Sequence, residues 1–193
     1  MNTIKILITA GLLSLTLVGC QSMNQPTVAP ITATINQDSL QFTITGKIGV
    51  MQPTTDGKQA GSAFYAWNQD DDRFAIDLTG AFGIGATAIS YDGNTATLTS
   101  ERTGSITADT PEDLLYHATG WQAPISQLPY WIMGRSTPSD ISKMTDEKGR
   151  LITAKNDAWT CHFIYDGDNK HPDRLRITHT DGTRITLTIN HQA

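Results

Sequence analysis

The sequence has only two cysteines, Cys20 and Cys161, so a disulfide framework is excluded. Charge is sparse: Asp, Glu, Lys and Arg make up 17% of the residues, with no basic run. Lys and Arg number 14 against 19 Asp and Glu, a net charge of −5. That balance argues against nucleic acid as a partner, because phosphate neutralisation needs clustered cations. No apolar run reaches the ~20 residues that a membrane-spanning helix needs. The longest, Ile6 to Val18, is interrupted by Thr9, Ser14 and Thr16.

Catalytic and metal-binding patterns are missing as well. His117, His162, His171, His179 and His191 stand in no pair at metal-ligand spacing with Cys or acidic partners. Asp166-Gly167-Asp168-Asn169 lacks the remaining positions of a calcium loop and reads as a polar turn. There is no nucleophile elbow and no phosphate loop. The glycines of Gly80-Ala81-Phe82-Gly83-Ile84-Gly85 sit inside a run of strands with no helix after them, so a dinucleotide site is ruled out. No enzyme activity, metal or cofactor is expected.

What is present begins with an export segment over residues 1–19. One cation, Lys5, precedes the apolar core from Ile6 to Val18, and small residues follow. The segment ends in Leu17-Val18-Gly19-Cys20, which resembles the bacterial lipobox. There the cysteine thiol is acylated and becomes the new N-terminus. The alternative is an ordinary signal with an incidental cysteine. Residues 20–37 follow as an acylated Cys and a flexible tether, with Pro26 and Pro30 among small polar residues. Cys161, in a strand-like run, reads as a small buried apolar residue.

Residues 38–193 then read as one domain. The sequence holds 28 Thr, a β-branched residue suited to strands. Period-two alternation marks a strand at Phe42–Val50. Another runs over Gly61–Trp67, with Ala63, Tyr65 and Trp67 on one face and Phe64 on the other. Further strands fall at Phe74–Leu78, Ile84–Tyr91, Thr95–Ser100 and Ser105–Ala108. Thr110-Pro111-Glu112-Asp113 starts a helix: a hydroxyl cap, proline at the first position, then acids near the positive dipole end. Gly120 ends it. A second helix runs from Pro124 to Gly134 and breaks at Pro129. Strands return at Leu151–Ala154, Ala158–Tyr165, Arg174–His179 and Arg184–Ile189. The layout is about seven short strands, two helices and four strands. It is a mainly β fold with helices (α+β), able to curl into a barrel or half-barrel.

Two features point toward apolar ligands. Phe82 stands between Gly80 and Gly83, where a turn tip is normally polar. It either tucks into the core or protrudes to meet a membrane or an acyl chain. Trp67, Trp121, Trp131 and Trp159 lie where side chains should point inward. They build either an aromatic core or the wall of a ligand cavity under the helices.

In order along the chain, several segments resemble the outer-membrane lipoprotein receptor family LolB. These are Leu17–Cys20, Thr45-Gly46-Lys47-Ile48-Gly49-Val50, Ser62 to Gln69, and Leu78 to Gly83. The block from Ala108-Asp109 through Gly120-Trp121-Gln122-Ala123-Pro124-Ile125 to Leu128, Trp131-Ile132 and Gly134 is the most specific, and Gly149-Arg150-Leu151, Trp159 and Tyr165 follow. The resemblance implies an unclosed antiparallel β-barrel of about 11 strands, with a helical lid over an apolar cavity. It implies a monomer at the periplasmic face of the outer membrane, anchored through Cys20. The partners it implies are the periplasmic carrier LolA, acylated lipoproteins and outer-membrane phospholipids. The acyl-chain cavity is expected at Phe64, Trp67, Trp121, Leu128, Trp131 and Trp159, and the membrane-insertion loop at Phe82. Two departures from the family pattern stand out. The loop residue is usually Leu, and the C-terminal Ile189-Asn190-His191-Gln192-Ala193 lacks the Trp common there. A lipid-binding or sensor lipoprotein of the same fold is the competing reading.

Overall fold

The computed structural model describes residues 39–81, 85–102 and 104–192. Cys20 and Phe82, with the export segment and tether, lie outside them.

Six strands come first: β1 (Gln41–Thr54), β2 (Gly57–Asp70), β3 (Arg73–Ala81), β4 (Gly85–Tyr91), β5 (Ala96–Ser100) and β6 (Gly104–Ala108). A helical segment follows, with α1 (Pro111–Thr119), a 3₁₀ turn (Ile125–Gln127) and α2 (Leu128–Ile132). Five strands complete the chain: β7 (Ser142–Thr145), β8 (Leu151–Asn156), β9 (Trp159–Ile164), β10 (Arg174–His179) and β11 (Arg184–His191). All pairings are antiparallel within one sheet of order β6-β5-β4-β3-β2-β1-β11-β10-β9-β8-β7. The chain's first and last strands meet at its centre, with Ile44 opposite His191 and Met51 opposite Arg184. The two free edges, β6 and β7, are the strands joined by the helical segment. The sheet is therefore open, and its helices come from the connection between its two edges.

The expected layout of about seven strands, two helices and four strands becomes six strands, the helical segment and five strands, the unexpected one being β7. Ser142-Lys143-Met144-Thr145 is exposed along its whole length and has no inward face, so it carries no period-two alternation. The earlier count of seven strands before the helices is corrected to six.

Alternation sets the curvature and the core. On β2, Ala63, Tyr65, Trp67 and Gln69 are buried while their neighbours are exposed. The same rule buries Leu175 and Ile177 on β10, and Ile185, Leu187 and Ile189 on β11. One aromatic row crosses the inner face, with ring centroids of Phe42 and Trp67 6.1 Å apart, Trp67 and Phe74 5.6 Å, and Phe74 and Tyr91 5.9 Å. Where β1 passes between β2 and β11, Gly46 makes room. The Tyr65 hydroxyl crosses it and donates to the Thr188 carbonyl at 2.9 Å. A Cβ on Gly46 would fall 1.9 Å from that same oxygen.

The helical segment is pinned at several points. Thr110 caps α1, its Oγ1 accepting from the Asp113 amide at 3.1 Å, and the Gly120 amide closes it onto the Tyr116 carbonyl at 2.8 Å. Glu112 then clips α1 to the 3₁₀ turn by accepting from the Ser126 amide at 2.7 Å and the Ser126 hydroxyl at 3.1 Å. Beyond α2, Asp140 accepts from the Thr137 amide and hydroxyl at 2.8 Å each. Asn156 of β8 donates to Ser139 at 2.7 Å, tying this end of the segment to the sheet.

Candidate functional site: a cavity between sheet and lid

The inner face of the sheet and the helical segment border a partly open apolar cavity of about 80 Å³. From the sheet come Ile48, Tyr65, Trp67, Ile76, Leu78, Ile89 and Leu187; from the helical side come Leu115, Trp121, Ile125 and Leu128. Apart from the indoles, only Tyr65 and Gln122 bring polar side-chain atoms to the lining. Burial pushes the Tyr65 phenol well above its ordinary range, so it stays a neutral hydrogen-bond donor. The Trp67 indole is likewise occupied, donating to Gln69 Oε1 at 2.8 Å, while Gln69 donates to the Asp71 carbonyl at 2.7 Å. The lining carries no ionised group. Among the described residues no group of three His, Cys, Asp or Glu is placed to hold a metal ion.

A second, wider hollow of about 400 Å³ lies between Leu40, Phe74 and Tyr91 of the sheet side and Pro111, Ile125 and Tyr130 of the helical side. Ile125 borders both spaces, so the 3₁₀ turn is the partition between them.

The residues expected at the site separate into three groups. Trp67, Trp121 and Leu128 line the cavity. Trp131 and Trp159 lie elsewhere. Trp131, on α2, is fully buried in the core, its indole donating to Asp140 at 3.4 Å. Trp159 is half-buried against the His179 ring, 4.5 Å away, and borders a cleft with Glu112, Tyr116 and Gln122. Phe64 is corrected outright: it is 65% exposed on the outer face, with Lys47 over its ring at 5.8 Å. Its parity on β2 is opposite to that of Tyr65 and Trp67, so it cannot share their face. The aliphatic lining of Ile48, Ile76, Leu78, Ile89 and Leu187 was absent from the sequence-derived site. Its signal was the inward parity of each strand.

No helix among the described residues is long and apolar enough to cross a membrane. The chain resembles a LolA-superfamily protein of known structure from Nitrosomonas europaea, with a TM-score of 0.49 and 11% identity over 78% of this chain and 84% of the other. It is 32% identical over 150 residues to the outer-membrane lipoprotein LolB of Stutzerimonas stutzeri, covering 76% of this chain and 70% of the relative. The same identity and share of this chain hold against LolB of Pseudomonas fluorescens, of which 71% is covered. The family model described as outer membrane lipoprotein LolB matches residues 40–191, from the start of β1 to the end of β11. The chain belongs to the LolB family of outer-membrane lipoproteins.

Proposed function

We propose that this protein is an outer-membrane receptor that accepts acylated lipoproteins from the periplasmic carrier LolA and inserts them into the outer membrane. The observation that carries this reading is the uncharged, lid-covered cavity of a LolB-family chain. Each acyl methylene in water costs ~0.8 kcal/mol, so acylated cargo must pass between apolar sites rather than through solvent. Transfer without a nucleotide then needs only a descending order of free energy from carrier to receptor to bilayer.

The remaining parts take definite roles. Residues 1–19 are a signal, Cys20 carries the lipid anchor at the periplasmic face, and residues 20–37 form the tether. Trp67, Trp121 and Leu128 contact the acyl chains of the cargo. Cargo enters as α1 and the 3₁₀ turn lift together, because Glu112 clips them to each other while the Asp140–Asn156 network holds the segment beyond α2 to β8. Phe82 touches outer-membrane phospholipid at a loop tip. The neighbouring Gly80 has φ 72°, and the β3–β4 register shifts between Leu78 and Ala81. The protein works as a monomer and needs no nucleic acid or cofactor.

The test is transfer. Purified mature protein is incubated with a complex of carrier and labelled lipoprotein. Movement of label onto this protein, and then into vesicles, is the expected result. If the protein binds free lipid but takes no lipoprotein from the carrier, the sensor reading replaces this one.

A further inference from the structure

The outward residues of β1 and β8 to β11 carry charge of one sign. On β1, β8, β9, β10 and β11 the ionisable cations are Lys47, Lys155, Arg174, Arg176 and Arg184, and these strands contain no Asp or Glu. This holds in a chain whose acids outnumber its bases, 19 to 14. Register places the cations on one surface. Arg174, Thr188, Lys47 and Phe64 form one cross-strand row; His162, Arg176 and Thr186 form the next; Lys155, Thr160, Thr178 and Arg184 form a third. Rows lie about 7 Å apart and strands about 4.8 Å apart, so the patch spans five strands. Each cation is exposed, and the alternate residues of the same strands are core. None of the five is ion-paired with a carboxylate among the described residues. The nearest acids along the chain sit in turns at the strand ends: Asp157, Asp173 and Asp181. Asp173 is engaged by the Asp166 amide and Asn169, and Asp181 by His179.

We propose that this outward face lies against an anionic phospholipid bilayer and sets the orientation of the anchored protein. A field of unpaired cations on long, mobile stems recognises charge density, and an exposed aromatic among them suits the headgroup boundary. Phe64 supplies that aromatic, two-thirds exposed and beside Lys47. A protein partner is the weaker fit. None of the cavities described above opens on this face, and the sheet's free edges, β6 and β7, lie at its far ends. The contact is separate from acyl binding and from Phe82. It needs from the reading above only that the chain sits at a bilayer.

The experiment uses the full mature lipoprotein with Thr186→Cys carrying an environment-sensitive dye, because Cys161 is buried. Thr99→Cys, exposed on β5, is the control. The protein is added to vesicles of phosphatidylcholine with or without phosphatidylglycerol. Flotation with neutral vesicles reports the anchor, and the dye reports the face. The expected result is a Thr186 signal of membrane contact with anionic vesicles only, lost at high salt, with Thr99 silent. Reversing Arg174→Glu, Arg176→Glu and Arg184→Glu weakens the contact by at least roughly fivefold per position. The salt series on the unaltered face decides the matter should that triple variant not fold. Failed flotation with neutral vesicles would count against the anchor alone, since the face would still drive flotation with anionic ones. A Thr186 dye that stays silent on anionic vesicles, or responds equally to both kinds at every salt concentration, overturns the proposal. So does a silent dye combined with lost uptake from the carrier in the triple variant, which would assign the face to an acidic protein.

Discussion

Gly46 and Tyr65 act as one unit where the chain's first and last strands meet. The glycine leaves space for a phenol that reaches over it to the Thr188 carbonyl. Gly46→Ala places a methyl into that oxygen, and the strands can separate only by losing ladder hydrogen bonds. The expected loss is on the order of 3 kcal/mol, read by urea unfolding. Tyr65→Phe keeps the ring and removes one hydrogen bond, so about 1 kcal/mol is expected. Phe82 makes a different kind of claim. On the proposed function, its transfer into an apolar phase is worth ~1.5–3 kcal/mol, which is small beside a lipid anchor. Phe82→Glu is expected to take cargo from the carrier normally and fail to insert it, while Phe82→Leu works as the parent does. Unfolding of Phe82→Glu, seen by circular dichroism, would instead make Phe82 a core residue. At this scale the alternation of β2 was fully legible, and it already separated Phe64 from Tyr65 and Trp67. Size and apolarity alone nevertheless brought Phe64 into the expected cavity, because they describe a side chain without its direction. The inward roles of Trp131 and Trp159 were legible, but which inward residues border empty space depends on how three layers of side chains meet. No local pattern encodes that.

The elements were read most accurately where local signals agree. Thr110, Pro111 and Gly120 set both ends of α1 as expected from capping chemistry alone. β7 escaped because it is an edge strand held only by β8 and exposed on both faces. The clip by Glu112 was also invisible, since it joins residues 14 apart through a chain reversal. That clip has a measurable consequence. Glu112→Ala releases the Ser126 amide and hydroxyl, both exposed to solvent. The global stability cost is therefore expected to stay below about 1 kcal/mol. Amides of α1 should exchange with solvent faster, while those of β1 and β11 do not change. Faster acyl uptake by the same variant would follow from a lid that lifts more easily. Unchanged exchange in α1 would mean that α1 is held by its packing on β5 and β6 rather than by this contact.

For the whole molecule, one topological fact organises the function. An open sheet whose two edges are joined by a helical segment has its own lid, and the space under that lid has no charge to desolvate. The space is about 80 Å³, so on the proposed function binding of an acyl chain is expected to couple to lid displacement. The most direct test of where the chain goes is site-specific photocrosslinking. A photoreactive amino acid replaces Leu115, half-buried over the cavity, or Phe64 on the outer face. Each protein is mixed with carrier bearing either acylated or non-acylated lipoprotein and irradiated. A crosslink from position 115 to the acyl chains of acylated cargo only, with none from position 64, is the predicted result. Equal crosslinking from position 64, or crosslinking from 115 that ignores acylation, would contradict the account.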